Sequence, residues 1–358
     1  MTKNIVYMLG AGASFHALPI VSNLNSRFKI FCDHILDYNQ KYSEARFVYL
    51  KREIAILLEK ISSHYTIDTY ARKLYLKNPA VDTNSDYIQI LKFLSAYFLY
   101  EQLTIDINSE CNRYLKNLYE PVKGTTKIAD QSLLNELDYR YDSFFATILE
   151  NSEEGELVIP KNFSILSWNY DFQVEKAYMN FSGNSLDDTL NQFKVDGINH
   201  KLGGEPKKTF LTKLNGTAAF VKDGKYTNLF DFKTHTLNEE SLDILSKILS
   251  SPRSEFDTGM RFAWQDDEFS KRAIKQSQIR IRDADIVVII GYSFPYFNRS
   301  IDRLLFKEAG TLIRLPKVYI QGCENDVKSV INRFKGIRSD INAIPFVELD
   351  QFLIPNEL

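Results

Sequence analysis

The feature that most constrains this chain is an apolar run from Asn4 to Leu9 that ends on Gly10-Ala11-Gly12-Ala13-Ser14. A short uncharged run closed by glycine reads as a buried strand entering a tight turn. The pattern returns late in the chain, where Ala284 to Ile290 (ADIVVII) is rich in β-branched residues and closes on Gly291. Phe163 to Trp168, Phe210 to Leu214, Tyr226 to Phe230, Val318 to Gln321 and Ala343 to Val347 read as further strands, with helices between them. Strands that alternate with helices imply a parallel sheet covered on both faces.

Another texture fills the region after the first strand. Leu24, Phe28, Phe31 and Ile35 recur at helical spacing from about Ser22, and Phe47, Leu50, Ile54, Leu57, Leu58 and Ile61 form one apolar stripe. Leu133, Leu134, Leu137, Tyr141, Phe144 and Ile148 form another. Tyr87 to Leu103 is apolar nearly all round, which predicts burial in the core of this region or packing against a partner. The expected fold is therefore α/β: a Rossmann-like parallel sheet with helices on both faces and a large helical insertion. Residues 1–30 and 155–358 would form the sheet domain, and residues 31–154 the insertion.

Composition narrows the function. The chain has 46 acidic and 44 basic residues, a formal net charge of −2, which argues against a dedicated duplex-binding protein. No direct nucleic-acid partner is expected. Cys32, Cys111 and Cys323 lie far apart with no C-x-x-C pair, which excludes a disulfide framework and a zinc ribbon and fits a reducing cytosol. The N-terminus is too briefly apolar for a signal peptide, and no window reaches 18 apolar residues. A soluble cytoplasmic protein with no membrane partner is expected.

Chemistry concentrates at four strand ends. The glycines of Gly10-Ala11-Gly12-Ala13-Ser14 let the backbone approach a pyrophosphate, although the full dinucleotide fingerprint needs a third glycine where Phe15 stands. A glycine turn without a ligand is the plainer alternative. Ser167-Trp168-Asn169-Tyr170-Asp171 follows the second strand, and there Asn169 offers a donor and an acceptor while Asp171 offers a carboxylate for ribose or a water. Both residues also suit a helix N-cap. Lys213-Leu214-Asn215-Gly216-Thr217 and Gly291-Tyr292-Ser293-Phe294-Pro295 follow two more strands, and each contains ordinary turn residues. Four polar tips on parallel strands would converge on one crevice, where open α/β sheets bind their ligands.

In this order, GAGAS, WNYD, LNGT and GYSFP resemble the motifs of the sirtuin-like family, and most closely those of sirtuin-like NADase domains in prokaryotic antiphage defence proteins. The resemblance implies that NAD is bound as substrate. Gly10, Ala11, Gly12, Ala13 and Ser14 would hold its pyrophosphate, and Asn169 and Asp171 would work at the nicotinamide ribose. Gly291, Ser293 and Gln321 would serve the adenosine side. Ile67-Asp68-Thr69-Tyr70-Ala71 resembles a segment of the defence subgroup, so Asp68 is a candidate ligand contact, with a solvated or capping carboxylate as the alternative.

Two departures shape the expectation. Deacylating sirtuins carry a zinc module built on paired cysteines; this chain has none, so no metal and no deacylase role are expected. The family's catalytic histidine position holds Asn215, and an amide cannot act as the general base that imidazole provides. Nicotinamide leaves as a neutral molecule, so hydrolysis needs a stabilised oxocarbenium-like transition state and a placed water more than a base. Of the five histidines, His16, His64 and His235 are candidate substitutes, beside His34 and His200. The expected activity is NAD⁺ glycohydrolysis, releasing nicotinamide and ADP-ribose for antiphage defence by NAD⁺ depletion. The alternative is a catalytically impaired subunit that binds NAD or ADP-ribose. Either form is expected as a homo-oligomer or with a partner defence protein such as an ATPase.

Overall fold

A computed structural model describes residues 2–64, 67–77, 85–106, 108–113, 115, 137–151, 157–193, 210–222, 225–227, 229–230, 232, 234–307, 309 and 315–356. The chain divides into two compact units. One comprises Met1–Phe15, Leu137–Thr217 and Arg261–Leu358; the other comprises His16–Glu136 and Ala218–Met260.

Six parallel strands build the first unit: β1 (Ile5–Leu9), β2 (Phe163–Ser167), β3 (Leu211–Lys213), β4 (Ile286–Ile290), β5 (Lys317–Gln321) and β6 (Ala343–Phe346). Their order in the sheet is β3-β2-β1-β4-β5-β6. That is the doubly wound Rossmann order, in which the chain works outward from β1 on one side and then returns to work outward on the other. The composition of the strands explains their place. β1, β2 and β4 are buried at every position and carry Ile, Val, Leu, Met, Tyr and Phe, as central strands covered on both faces must. Edge strand β6 is half-buried to exposed and holds Pro345, which an edge tolerates.

The described helices are α1 (Val21–Tyr42), α2 (Glu44–Ser62), α3 (Ile67–Lys77), α4 (Asp86–Tyr100), α5 (Tyr139–Ile148), α6 (Gln173–Ser182), α7 (Leu186–Phe193), α8 (Glu239–Ser250), α9 (Glu268–Asp283), α10 (Arg299–Phe306) and α11 (Glu324–Lys335). Local caps set several boundaries. Asp138 accepts the Arg140 amide at 3.1 Å and starts α5; Leu133 and Leu134 of the expected stripe lie outside the described residues. Asp267 accepts the Ser270 amide at 2.8 Å and starts α9, and Gly183 at φ 71° ends α6. No described helix is long and apolar enough to cross a membrane.

In the second unit α1, α2, α3, α4 and α8 pack together with a strand at Asp257–Met260. The sequence layout ended the helical insertion at residue 154. The compact unit also takes Ala218–Met260, whose Leu242, Leu245 and Leu249 on α8 are fully buried. Helix α4 is the core element here: twelve of its fifteen residues are buried, Phe93 and Tyr97 completely. Its apolar circumference is thus used within the chain, so the contact-surface alternative fails for Phe93. Lys92 on the same helix donates to the Ser251 and Pro252 carbonyls at 2.8 and 3.4 Å, and burial lowers its pKa to about 8. It caps the carbonyl end of α8, where a cation is favoured.

Phe93→Ala should remove a fully enclosed ring and destabilise the protein by about 3–5 kcal/mol. Urea unfolding followed by circular dichroism checks this, and an unchanged midpoint would place the ring outside the core.

Candidate functional site

Register brings the ends of β1 to β5 level, four of them bearing motifs. Leu9 pairs with both Ser167 and Ile290, Ser167 with Lys213, and Ile290 with Gln321. The segments starting at Gly10, Trp168, Leu214, Gly291 and Gly322 therefore leave one edge of the sheet. The strand order reverses between β1 and β4, and open α/β sheets bind ligands beyond the carboxyl ends of strands at that switch point.

There the two glycine turns meet. The Gly12 amide donates to the Gly291 carbonyl at 3.0 Å, the Gly10 amide to Ile290 at 2.9 Å, and the Ala13 amide to Gly10 at 2.8 Å. A Cβ on Gly12 would stand 2.8 Å from the Gly291 Cα, and one on Gly291 would stand 2.3 Å from the Ala13 nitrogen. Gly291 also has φ +63°, which a side chain opposes. The glycines are thus required by backbone-on-backbone packing. Gly12→Val would break that packing before it met any phosphate, so the residue is unsuited to testing a ligand.

Polar side chains complete the loop's support. Asn169 donates its amide to the Gly10 carbonyl at 3.0 Å and to Ser14 Oγ at 3.3 Å, and Ser14 Oγ lies 3.2 Å from the Tyr141 hydroxyl. Among the described residues none donates to Asn169 Oδ1. Asp171 is buried and accepts the Gln173 amide at 3.1 Å. Burial raises its pKa, against the pull of Lys213, the Gln173 amide and Ser14. Lys213, equally buried, donates to the Asp171 carbonyl and to Glu175, whose carboxylate lies 3.2 Å away. Burial raises the Glu175 pKa too, and Lys213 opposes it. A buried ion pair of this kind is retained only with further hydrogen bonds, and the Asp171 carbonyl supplies one.

Asn215 occupies the tip of β3 and uses both of its polar atoms structurally. Nδ2 donates to the Trp168 carbonyl at 2.8 Å, and Oδ1 accepts the Ala263 amide at 3.1 Å. Trp168 stacks on Tyr292 with ring centres 5.0 Å apart. Ser293 is exposed, and its carbonyl accepts Arg333 at 2.6 Å. Gln321 stands at the tip of β5, but its side chain is committed to the C-terminal segment. It donates to the Glu348 and Gln351 carbonyls at 2.6 Å and accepts the Leu353 amide at 3.0 Å.

Asp68 belongs to the second unit, in the first turn of α3, where burial pushes its pKa up to about 6. His34 is buried between the Tyr100 hydroxyl and the Cys111 carbonyl, each at 2.9 Å, a structural role. His64 lies 2.7 Å from the Lys60 carbonyl, and His235 lies beside Thr234 at 3.3 Å. His16, His64 and His235 all fall in the second unit, and His200 lies outside the described residues. Among the described residues no group of three metal-ligating side chains is found.

Sequence reasoning missed Asp138, Arg140 and Asp302. Arg140 donates to the Gly12 and Ala13 carbonyls of the glycine loop. Asp302 on α10 is fully buried; its Oδ1 accepts the Tyr292 hydroxyl at 2.8 Å, and its Oδ2 has no hydrogen-bond partner among the described residues. Nothing in the local pattern RSIDRLLF distinguishes it from a surface acid.

No family model matches this chain, and no curated protein does. Several solved structures are similar, two of them as follows. One is a Sir2 variant with a deacetylated p53 peptide and 3′-O-acetyl-ADP-ribose, at 12% identity and TM-score 0.40, covering 97% of this chain and 89% of that one. The other is Sir2Tm bound to a propionylated peptide, at 11% identity and TM-score 0.29, covering 89% and 81%. The assignment of fold class rests on the strand order itself.

Burial raises the Asp302 pKa to about 7, whereas an unfolded aspartate titrates near ~4. Between these values the folded chain holds a proton that the unfolded chain has released, so stability falls as pH rises. Asp302→Asn should flatten the decline between pH ~5 and ~7, by at most ~1.4 kcal/mol per pH unit. Melting temperatures measured across that range decide it, and parallel curves would remove Asp302 as the cause.

Proposed function

We propose that the first unit binds NAD⁺ over the β1–β4 switch point and hydrolyses it to nicotinamide and ADP-ribose, acting in antiphage defence by NAD⁺ depletion. The observation that carries the proposal is the meeting of two glycine turns at the one place where the Rossmann order reverses. The motif order GAGAS, WNYD, LNGT, GYSFP supports NAD over other dinucleotides through its likeness to the sirtuin-like family. Asn169 keeps Oδ1 for a water or a ribose hydroxyl while its amide nitrogen is anchored to Gly10 and Ser14. Asp171 contributes carboxylate charge beneath the position where ribose becomes cationic, and the neutral leaving group needs no acid.

A second reading is favoured by Asn215. With Nδ2 and Oδ1 both bonded to backbone, it holds Trp168 against Ala263 and offers no base. In this reading the unit binds NAD or ADP-ribose without turnover.

Purified protein incubated with NAD⁺ should release nicotinamide, and Asn169→Ala should lower that rate by at least ~10²-fold, the scale of losing one preorganised polar contact. Chromatography of the products measures it. Calorimetric binding of NAD⁺ with no nicotinamide released would replace the hydrolase by the binding subunit.

A further inference from the structure

Among the described residues the largest fully buried side chain is a cation, Arg140, at 2% exposure. Burial of an arginine is costly unless every donor is used, so its partners show what it is for. Nε and Nη2 grip the Asp138 carboxylate at 2.8 and 2.6 Å. Nη2 also reaches the carbonyls of Gly12 at 2.9 Å and Ala13 at 3.2 Å, while Nη1 reaches Leu349 in the C-terminal segment at 3.5 Å. The guanidinium carbon lies 5.2 Å from the Phe15 ring centre and 5.0 Å from that of Phe352. Charge, planarity and both ring contacts suit arginine alone.

These bonds belong to a longer path around the glycine loop. The Asp138 amide donates to Gln173 Oε1 at 2.8 Å, and the Gln173 amide donates to Asp171. On the other side of the loop, Asn169 donates to Ser14 Oγ and to the Gly10 carbonyl, and Ser14 Oγ lies 3.2 Å from the Tyr141 hydroxyl. The loop carbonyls of Gly10, Gly12 and Ala13 are thus each fixed by a side chain, while the Gly10, Gly12 and Ala13 amides are fixed by backbone.

We infer that Arg140 is the positioning residue of the glycine loop: it sets the loop's shape by holding the Gly12 and Ala13 carbonyls, and through that shape sets affinity for the dinucleotide at the switch point. The second half rests on the proposed NAD⁺ reading. The first half is a statement about the loop and has its own readout.

The experiment compares wild type, Arg140→Lys and Phe352→Leu by three measurements: amide hydrogen exchange, melting temperature and calorimetric titration with NAD⁺. Lysine keeps the charge toward Asp138 but cannot hold the carboxylate and two carbonyls together. In Arg140→Lys the amides of residues 10–15 should exchange at least ~10-fold faster while those of β4 stay unchanged. NAD⁺ affinity should fall at least ~10-fold, the scale of losing one charge-assisted hydrogen bond. Exchange that rises equally in β4, in step with a lower melting temperature, would make Arg140 a general stabiliser and overturn the inference. Unchanged exchange at residues 10–15 would overturn it as well. If Arg140→Lys does not fold, Phe352→Leu, which removes one ring from the guanidinium, takes its place under the same two criteria. Absence of NAD⁺ binding by wild type would sink the functional reading instead, and the exchange pattern would still decide the role of Arg140.

Discussion

Everything at the candidate site depends on the approach of two backbones, that of Gly12 and that of Gly291. A hydrogen bond of 3.0 Å joins them, and no side chain fits between. Close packing of this kind fixes the spacing of the β1 and β4 tips, and with it the width of the crevice that the Rossmann order opens. Phe294, three residues on, has φ +51° and is buried against Tyr292, Phe306 and Phe334. A non-glycine residue persists there only because the surrounding packing over-determines it. The β4 turn is therefore rigid on both sides of its glycine.

The charges beneath this contact are unusual for a core. Arg140, Asp138, Asp171, Glu175 and Lys213 are all buried in the first unit, two cations among three carboxylates. Burial raises the pKa of both Asp171 and Glu175, and Lys213 draws both back toward ionisation. Such a network is worth little as stability, since well-packed apolar residues would do as well or better. Its value lies in direction: the two cations end on backbone carbonyls of strand-end segments, Arg140 on Gly12 and Ala13 and Lys213 on Asp171, so the polar atoms define geometry where apolar packing would define only volume. Removing one partner would strand a buried charge, which makes the arrangement all-or-none.

Much of this was legible in the sequence, for local reasons. ADIVVII and NIVYML announce central strands because burial on both faces demands an unbroken apolar run, and both are central in the sheet. The glycine turns were legible as turns, since backbone that must bend sharply or approach closely needs residues without a Cβ. What those glycines touch was not, because the contact joins residues 279 positions apart. Asn215 is instructive in the same way: a motif position suggested chemistry, whereas its hydrogen bonds to Trp168 and Ala263 span 47 and 48 residues and leave no local trace. Gln321 was placed correctly at a strand end, yet its amide serves the C-terminal segment. Arg140 sits in YRYD, a sequence with no motif, and only the fold turns it inward.

The alternation between hydrolase and binding subunit comes down to which polar atoms remain uncommitted. A general base must take up a proton near neutral pH, and the Asn215 amide has no pKa that allows it; both of its polar atoms are also engaged with backbone, at Trp168 and Ala263. Preorganisation, by contrast, survives the loss of a base. The bound pyridinium already carries the positive charge, so expulsion of nicotinamide transfers that charge to ribose without creating a new one. In the proposed reading, an ionised Asp171, which Lys213 favours against the effect of burial, would support this transfer, and the braced loop would hold the rest of the molecule while it occurs. What such a site forgoes is the faster deprotonation of water, a factor of typically ~10²–10⁴. Under the proposed reading, the absent imidazole limits the rate of hydrolysis, and Asp171 would act on the same barrier by stabilising the cationic transition state.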